Sequence, residues 1–456
     1  MKKNAQIITL LWLLTMLISG CEKFLEEKSD KSLAIPTTLH DLQSLLNNAY
    51  DINHIFCSIG EASCDDHFLK DADYNGLFYE SDKRQYTWQP DYVSRPLSSA
   101  GDEWYNCYRI IYICNSVLQG LEENNLNGQE ADYIKGQALV FRAARYLDGV
   151  QIWAPVYNES TANTDLGMVL RLDPDMNIPS VRSSVQETYE RILKDLTDAL
   201  PLLPSTIISP TLPTKAAVYG LLARTHLIMG NYADALDNAE KAFEISNDLI
   251  DFNGLDSNAN YPIPAVNQIS KEIVFQTRMF SSNINNFNIA RISLSLYNLY
   301  DDGDLRKNIY FREVADGEYR FKGTHTGGTA LITGITTSEL LLIIAECNSR
   351  LDNLSEAAKA LNKLLIKRWD TNQFIPYSFT NKDVALNTIL NERRKELVYR
   401  GLRWSDIKRL NRDGYNITLT RMVNGQTITL PPNDLRYAIA LPETVIEIGE
   451  IEQNPR

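Results

Sequence analysis

The densest chemistry in this chain runs from Asn391 to Arg412, NERRKELVYRGLRWSDIKRLNR. Glu392 and Glu396 lie one helical turn apart, and Glu396 and Arg400 have the i,i+4 spacing of a helical ion pair. Two carboxylates on one face can serve as general acid and base. Here Lys and Arg outnumber the acids, so the stretch reads as a helix corner braced by ion pairs. Gly401 is the left-handed residue that ends the first helix, and Trp404 opens the second.

A second candidate is DADYNGLFYESD, residues 71–82. Asp71, Asp73, Asn75 and Gly76 match the first positions of an EF-hand calcium loop. The last position holds Asp82, which reaches a bidentate geometry less easily than Glu, so a solvated acidic loop is expected and no metal. Aromatic residues crowd the same region: Tyr74, Phe78, Tyr79, Tyr86, Trp88 and Tyr92. Aromatic faces suit the C–H faces of sugar rings, and Tyr and Trp add a polar tip. The ligand-binding candidates are therefore Tyr74, Phe78, Tyr79 and Trp88, with Phe287 of NINNFN added from a second irregular stretch. Of these, Trp88 in YTWQPD is best suited to pinning the loop to the body.

No G-x-S-x-G, H-E-x-x-H or P-loop motif is present. The five histidines, at 40, 54, 67, 226 and 325, are scattered, and no cysteine–histidine cluster has zinc-like spacing. Neither a cofactor nor catalysis is expected. With 45 basic against 58 acidic side chains and a net charge of -13, the chain lacks the footprint of a nucleic-acid binder.

The elements that must hold these residues are mostly helices. Thr37-Thr38 caps a helix through Leu42, Leu45, Leu46 and Ala49; residues 51–100 are irregular. DEWYNCYRIIYICNSVLQGL places Trp104, Tyr108, Ile111 and Val117-Leu118 on one face, and the next helix stops at Ala154-Pro155. A capped helix spans Ser184 to Leu200. YGLLARTHLIMGNYADALDNAEKAFEI then fits a tetratricopeptide helix pair. Tyr219, Leu222, Ala223 and His226 take first-helix positions, Gly230-Asn231-Tyr232 turns, and Ala235, Ala239 and Ala242 form a close-packing face. LLIIAECNSRLDNLSEAAKALNKLL repeats the pattern with Ala345 and Ala357 at the small positions. Residues 250–335 break the helical pattern and hold short strands, helices follow at about 382–400 and 402–410, and the tail from Asn411 is irregular.

At the amino terminus, Lys2 and Lys3 precede an apolar run, Ile7 to Ile18, shorter than the roughly 20 residues of a membrane-spanning helix. Ser19-Gly20-Cys21 follows and resembles a bacterial lipobox, which implies cleavage before Cys21 and lipidation on its sulfur. The expected division is a signal peptide at 1–20, a charged tether at 21–35 and one binding domain at 36–456, loop-rich near 51–100 and 250–335. Lipidation leaves Cys57, Cys64, Cys107, Cys114 and Cys347, an odd number that cannot all pair within the chain. Cys107 and Cys114 lie about 10.5 Å apart along a helix axis, too far for a disulfide. Cys57 and Cys64 flank an expected loop and can pair.

In this order, the lipobox, SLAIPTTLHDLQSLLNNAY, CDDHFLKDADYNGL with YTW, WYNCYRIIYICNSVL, GQALVFRAARYLDGVQIWAPV, LYNLYDDGDLRK, the helix corner and the ending EIEQNP resemble the SusD/RagB family of outer-membrane nutrient-binding lipoproteins. The resemblance implies a mainly α fold, with tetratricopeptide-like pairs forming a right-handed helical scaffold and a loop-rich portion carrying the ligand site. It implies capture of an oligosaccharide, or in some members a peptide, at the cell surface and its delivery to a TonB-dependent transporter. The family's ligand contacts lie in no transferable motif, so the site residues above rest on the aromatics alone.

Overall fold

The computed structural model describes residues 36–91, 102–264, 272–280 and 282–456. The expected signal peptide, tether and lipidated Cys21 lie outside the described residues, as does Tyr92. Helices of eight residues or more carry the described body: α1 Leu39–Leu46, α2 Glu103–Glu123, α3 Gln129–Trp153, α4 Val185–Ala199, α5 Lys215–Met229, α6 Tyr232–Ile245, α7 Thr337–Arg350, α8 Leu354–Leu365, α9 Lys382–Glu396 and α10 Arg403–Arg412.

Their ends follow local chemistry. Thr38 with Asp41 and Ser184 with Glu187 form capping boxes, and Asp102, Thr214 and Asn381 cap with their side chains. Gly230 ends α5 at φ 90°, donating to His226 and Leu227 carbonyls while Asn231 N–H returns to His226. The α3 C-terminus is capped from outside the helix: Lys408 Nζ donates to the carbonyls of Gln151 and Ala154 at 2.7 Å each.

The helices stack as pairs. α2 and α4 flank α3, α5 lies on α6, and α7 on α8, with α6 and α9 also against α7. Ala235, Ala239, Ala242, Ala345 and Ala357 are fully buried, the close approach that the repeat pattern requires. His226 is half-buried. Bidentate ion pairs stitch neighbours together: Arg142 to Asp195 joins α3 to α4, Arg224 to Glu339 joins α5 to α7, and Arg409 to Glu346 joins α10 to α7.

The strands are short and antiparallel: β1 His67–Phe68 with β5 Arg291–Ile292, β2 Leu166–Val169 with β3 Arg182–Ser184, β4 Ile273–Phe275 with β8 Ile335–Thr336, β6 Phe311–Ala315 with β7 Glu318–Phe321, and β9 Leu419–Val423 with β10 Gln426–Leu430. The segments between helices are not loose. Phe252, Tyr300, Tyr310, Phe311, Phe321 and Tyr399 form a second apolar cluster, and Ala62, Leu69, Tyr86, Ile284 and Val423 a third.

Several sequence expectations need correction. Residues 51–91 contain helical segments at Ile59–Ser63, Asp71–Asn75 and Glu80–Tyr86. The tail holds the β9–β10 hairpin, turned by Asn424-Gly425 with both φ positive, 49° and 77°, as a two-residue hairpin turn requires. Cys57 and Cys64 are not joined: the five described cysteines are buried free thiols. Arg400 does not pair with Glu396, because α9 ends there and Tyr399 and Gly401 turn left-handed, at φ 58° and 73°. Arg400 instead donates to the carbonyls of Ile332 and Gly334.

Candidate functional site

Of two roomy clefts along the described residues, the larger lies in the irregular part of the body. It is a cleft of about 570 Å³ lined by Asn260, Tyr261, Met279, Phe280, Asn285, Asn286, Phe287, Asn288, Arg312, Phe321, Lys322 and Thr329, among others. A cavity of about 30 Å³ beneath Arg400 holds little more than a water. A second cleft of about 410 Å³ lies near Tyr437 and Leu435, with Lys408 at its wall.

Five segments build the larger cleft, Asn260-Tyr261 being the first. Residues 278–280 run as an extended stretch clamped on both sides. Phe56 N–H donates to Arg278 O and Phe280 N–H to Phe56 O on one side, and Met279 N–H donates to Leu331 O on the other. The asparagine-rich turn 285–288 follows, held by Asn288 N–H to Asn286 Oδ1 at 2.9 Å. The β6–β7 hairpin supplies Arg312, Phe321 and then Lys322. The turn carrying Thr329 is tied by Thr324 Oγ1 to Gly328 O and by Thr326 Oγ1 to Ala330 O.

An aromatic stack forms one wall. Phe287 meets Phe321 at 5.6 Å and Tyr399 at 5.7 Å, and Phe321 lies flat on Tyr399 at 4.6 Å and 7°. The ionised side chains on the lining are Arg312 and Lys322; none of the described lining residues is Asp or Glu. Lys322 Nζ donates to Ser257 O, and burial lowers its pKa, with Arg312 adding to the effect. Arg312 is exposed and stands directly opposite Arg320 in the hairpin. Like charges in that position destabilise a strand pair. Burial, then Arg291 and Arg312, lower the Arg320 pKa as well.

Of the five ligand candidates, Phe287 alone lines this cleft. Tyr74 is half-buried against Tyr86 at 5.6 Å. Phe78 is 87% exposed, edge-on to Tyr79 at 4.9 Å, away from the cleft lining. Trp88 is 5% exposed: its Nε1 donates to Ser63 O at 3.0 Å and the Arg421 guanidinium covers its ring at 4.7 Å. It pins the 80–88 segment and has no free face for a sugar. The 71–82 stretch forms no calcium loop. Asp71–Asn75 is helical, Asp71 accepts from Asn424 N–H, and Asp82 is buried and accepts from Asn283 Nδ2.

The helix corner is a buried charge network, with no open site. Arg306 meets Asp304, Glu392 and Glu396; Arg368 meets Glu396 and Glu272; Lys395 meets Glu392 and Asp304. Other strongly shifted groups lie outside this network. Burial pushes Glu103 up to about 7 and Glu61 up to about 8, and pushes Lys408 down to about 7. None of these lines the larger cleft.

The sequence reading missed Tyr261, Arg312 and Thr329. Its available signals were the asparagines of NINNFN and the Gly–Thr run KGTHTGGT, which mark turns.

Two comparisons cover most of the chain. Residues 23–227 match a family described as "Starch-binding associating with outer membrane", and residues 272–441 match the family described as "SusD family". A SusD-like protein P2 of Formosa agariphila is 26% identical over 67% of this chain and 71% of its own length. Among solved structures, a putative sugar binding protein from Bacteroides vulgatus superposes with a TM-score of 0.73 at 20% identity, covering 92% of this chain and 99% of that one. A SusD superfamily protein from Bacteroides thetaiotaomicron gives 0.72 at 22% identity, covering 92% and 100%.

Proposed function

Since this chain belongs to the SusD/RagB family, we propose that it is a non-catalytic binding lipoprotein of the outer membrane. Anchored through Cys21 and facing the cell exterior, it captures an oligosaccharide and delivers it to a partner TonB-dependent transporter. The carrying observation is the 570 Å³ cleft, where aromatic faces stand beside amide, hydroxyl and cationic groups. That composition stacks on a sugar ring and hydrogen-bonds its hydroxyls. Its described lining offers no carboxylate, whereas glycoside hydrolysis uses a pair of them across the bond. Support for the location comes from the family description, which names association with the outer membrane.

Within that class the charges favour an acidic oligosaccharide. Arg312 and Lys322 face the cleft without a lining acid, and the Arg312–Arg320 opposition is relieved by an anion bound between strand and solvent. Calorimetry against paired panels of neutral oligosaccharides, uronate- or sulfate-bearing oligosaccharides and peptides tests this. Saturable binding of the acidic panel, weakened on Phe287→Ala and on Arg312→Ala, is the expected result. Binding of peptides alone replaces the ligand and keeps the importer. Release of a shortened glycan refutes the non-catalytic role. Mass spectrometry of the mature amino terminus shows an unmodified Cys21 if the anchor is wrong.

A further inference from the structure

Behind the aromatic wall lies a cluster that binding of a ligand in the cleft does not use. Glu61 lies in the helical segment Ile59–Ser63, Cys64 follows its end and His67 opens β1, a Glu-x2-Cys-x2-His spacing. All three are buried, at 1%, 0% and 2% exposure. One ligand atom from each lies within 4.8 Å of the others. Neither ring nitrogen of His67 has a hydrogen-bond partner. A neutral imidazole carries one donor and one acceptor, and buried polar atoms are paired in the great majority of cases. The Glu61 carboxylate accepts from Gly401 N–H at 2.9 Å and from the Cys64 thiol, with Asp65 and Asp66 as its charged neighbours. Asp65 and Asp66 are taken up by Arg394 and Arg403, and among the described residues no cation pairs with Glu61 itself.

Thiolate, imidazole and carboxylate together are a zinc-type donor set. Bond lengths of about 2.3 Å to sulfur and about 2.0 Å to oxygen at a tetrahedral ion place those two atoms roughly 3.5 Å apart. Cys64 Sγ and Glu61 Oε1 stand at 3.7 Å. We propose that Glu61, Cys64 and His67 bind one divalent transition-metal ion of the zinc class, with the fourth tetrahedral position left to a water. The ion ligates the His67 nitrogen that otherwise lacks a partner. It balances the charges of the Glu61 carboxylate and the Cys64 thiolate, and the protons these two groups carry are released to solvent on binding. His67 lies 5.7 Å from the Tyr399 ring, which stacks on Phe321 of the cleft. The ion therefore braces the wall from behind. No zinc-like cysteine–histidine spacing describes these residues, because they mix three ligand types across a helix end and a strand.

The test uses the whole chain, free of a polyhistidine tag, kept reduced, with zinc(II) alone and cobalt(II) alone as probes. Expected are one zinc per chain after desalting, a thiolate-to-cobalt charge-transfer absorption, and a melting temperature raised by zinc and lowered by a chelator. Loss of an outer-shell partner already weakens metal sites about 10- to 100-fold, so Cys64→Ser and His67→Gln each weaken zinc binding by at least about 100-fold. Circular dichroism confirms that each variant is folded; if one is not, the other and the wild-type cobalt spectrum decide. A folded wild type that retains no zinc and shows no thiolate absorption overturns the proposal. So does Cys64→Ser binding zinc as tightly as wild type. Neither outcome depends on the identity of the cleft's ligand.

Discussion

Replacing Arg306 by Met tests whether buried charge holds the cleft-bearing segment to the helical scaffold. Arg306 has no exposed surface. Its Nε and Nη2 donate to Asp304 at 2.8 and 2.7 Å, and its remaining bonds go to Glu392 and Glu396. Five residues later β6 begins, and with it Arg312 of the cleft. Met fills much of the space but leaves three buried carboxylates sharing Arg368 and Lys395. Breaking a buried pair by removing one partner costs about 3–5 kcal/mol, and here one cation serves three, so about 5 kcal/mol is expected at pH 7. With a urea m-value of about 3 kcal/mol/M, the midpoint falls by roughly 1.7 M. The adjacent Lys307 is the control: its pair with Asp302 is solvent-exposed on the acid side, so Lys307→Met costs less than about 1 kcal/mol. The effect depends on pH. Burial alone raises the Asp304 pKa, but Arg306 and Lys395 outweigh it and hold the carboxyl below its ordinary value. A depressed native pKa gives stability that is present above the unfolded value and lost as pH falls through the native one. In Arg306→Met the stranded carboxylates shift upward instead, so the variant recovers relative stability as they protonate. The gap to wild type therefore narrows from pH 7 towards about pH 4.5. A midpoint change under about 0.3 M at pH 7, a gap that does not narrow with acid, or an equal effect of Lys307→Met refutes the reasoning.

Trp88→Ala costs about 3–5 kcal/mol in chemical denaturation, because it empties a buried site, whereas Phe78→Ala at a largely exposed position stays within about 0.5 kcal/mol. Gly401→Ala costs about 1–2 kcal/mol in the same assay: φ is 73° and the new Cβ lies 3.1 Å from the Thr333 methyl. Raising salt from about 50 to about 500 mM weakens binding of an acidic oligosaccharide in calorimetry and leaves a neutral one nearly unchanged, since screening acts on the Arg312 charge.

What was readable in advance follows from how local each signal is. The α5–α6 pair was legible because Ala235, Ala239 and Ala242 recur at helical spacing and Gly230 marks the turn. Asn424-Gly425 is an equally local hairpin signal, although the tail around it reads as irregular. Glu392 and Glu396 were visible as charges on one turn. Their partners Arg306 and Arg368 lie tens of residues away, and neither charge pattern nor spacing names them.

The aromatic candidates divide along the same line. Residue type marks a side chain as able to stack on a sugar, and Phe287 and Trp88 share that ability. Burial separates them: Arg421, 333 residues on, closes over Trp88, while the clamp of Phe56 and Leu331 on residues 278–280 leaves Phe287 at a cleft. By itself the sequence determined the helical repeats, the caps and the family, since each depends on neighbours within a few turns or on motif order. The tertiary structure alone decided which aromatics line a cleft, which charges are buried, and that Glu61, Cys64 and His67 converge. Those outcomes depend on desolvation by distant segments, and no local spacing encodes that.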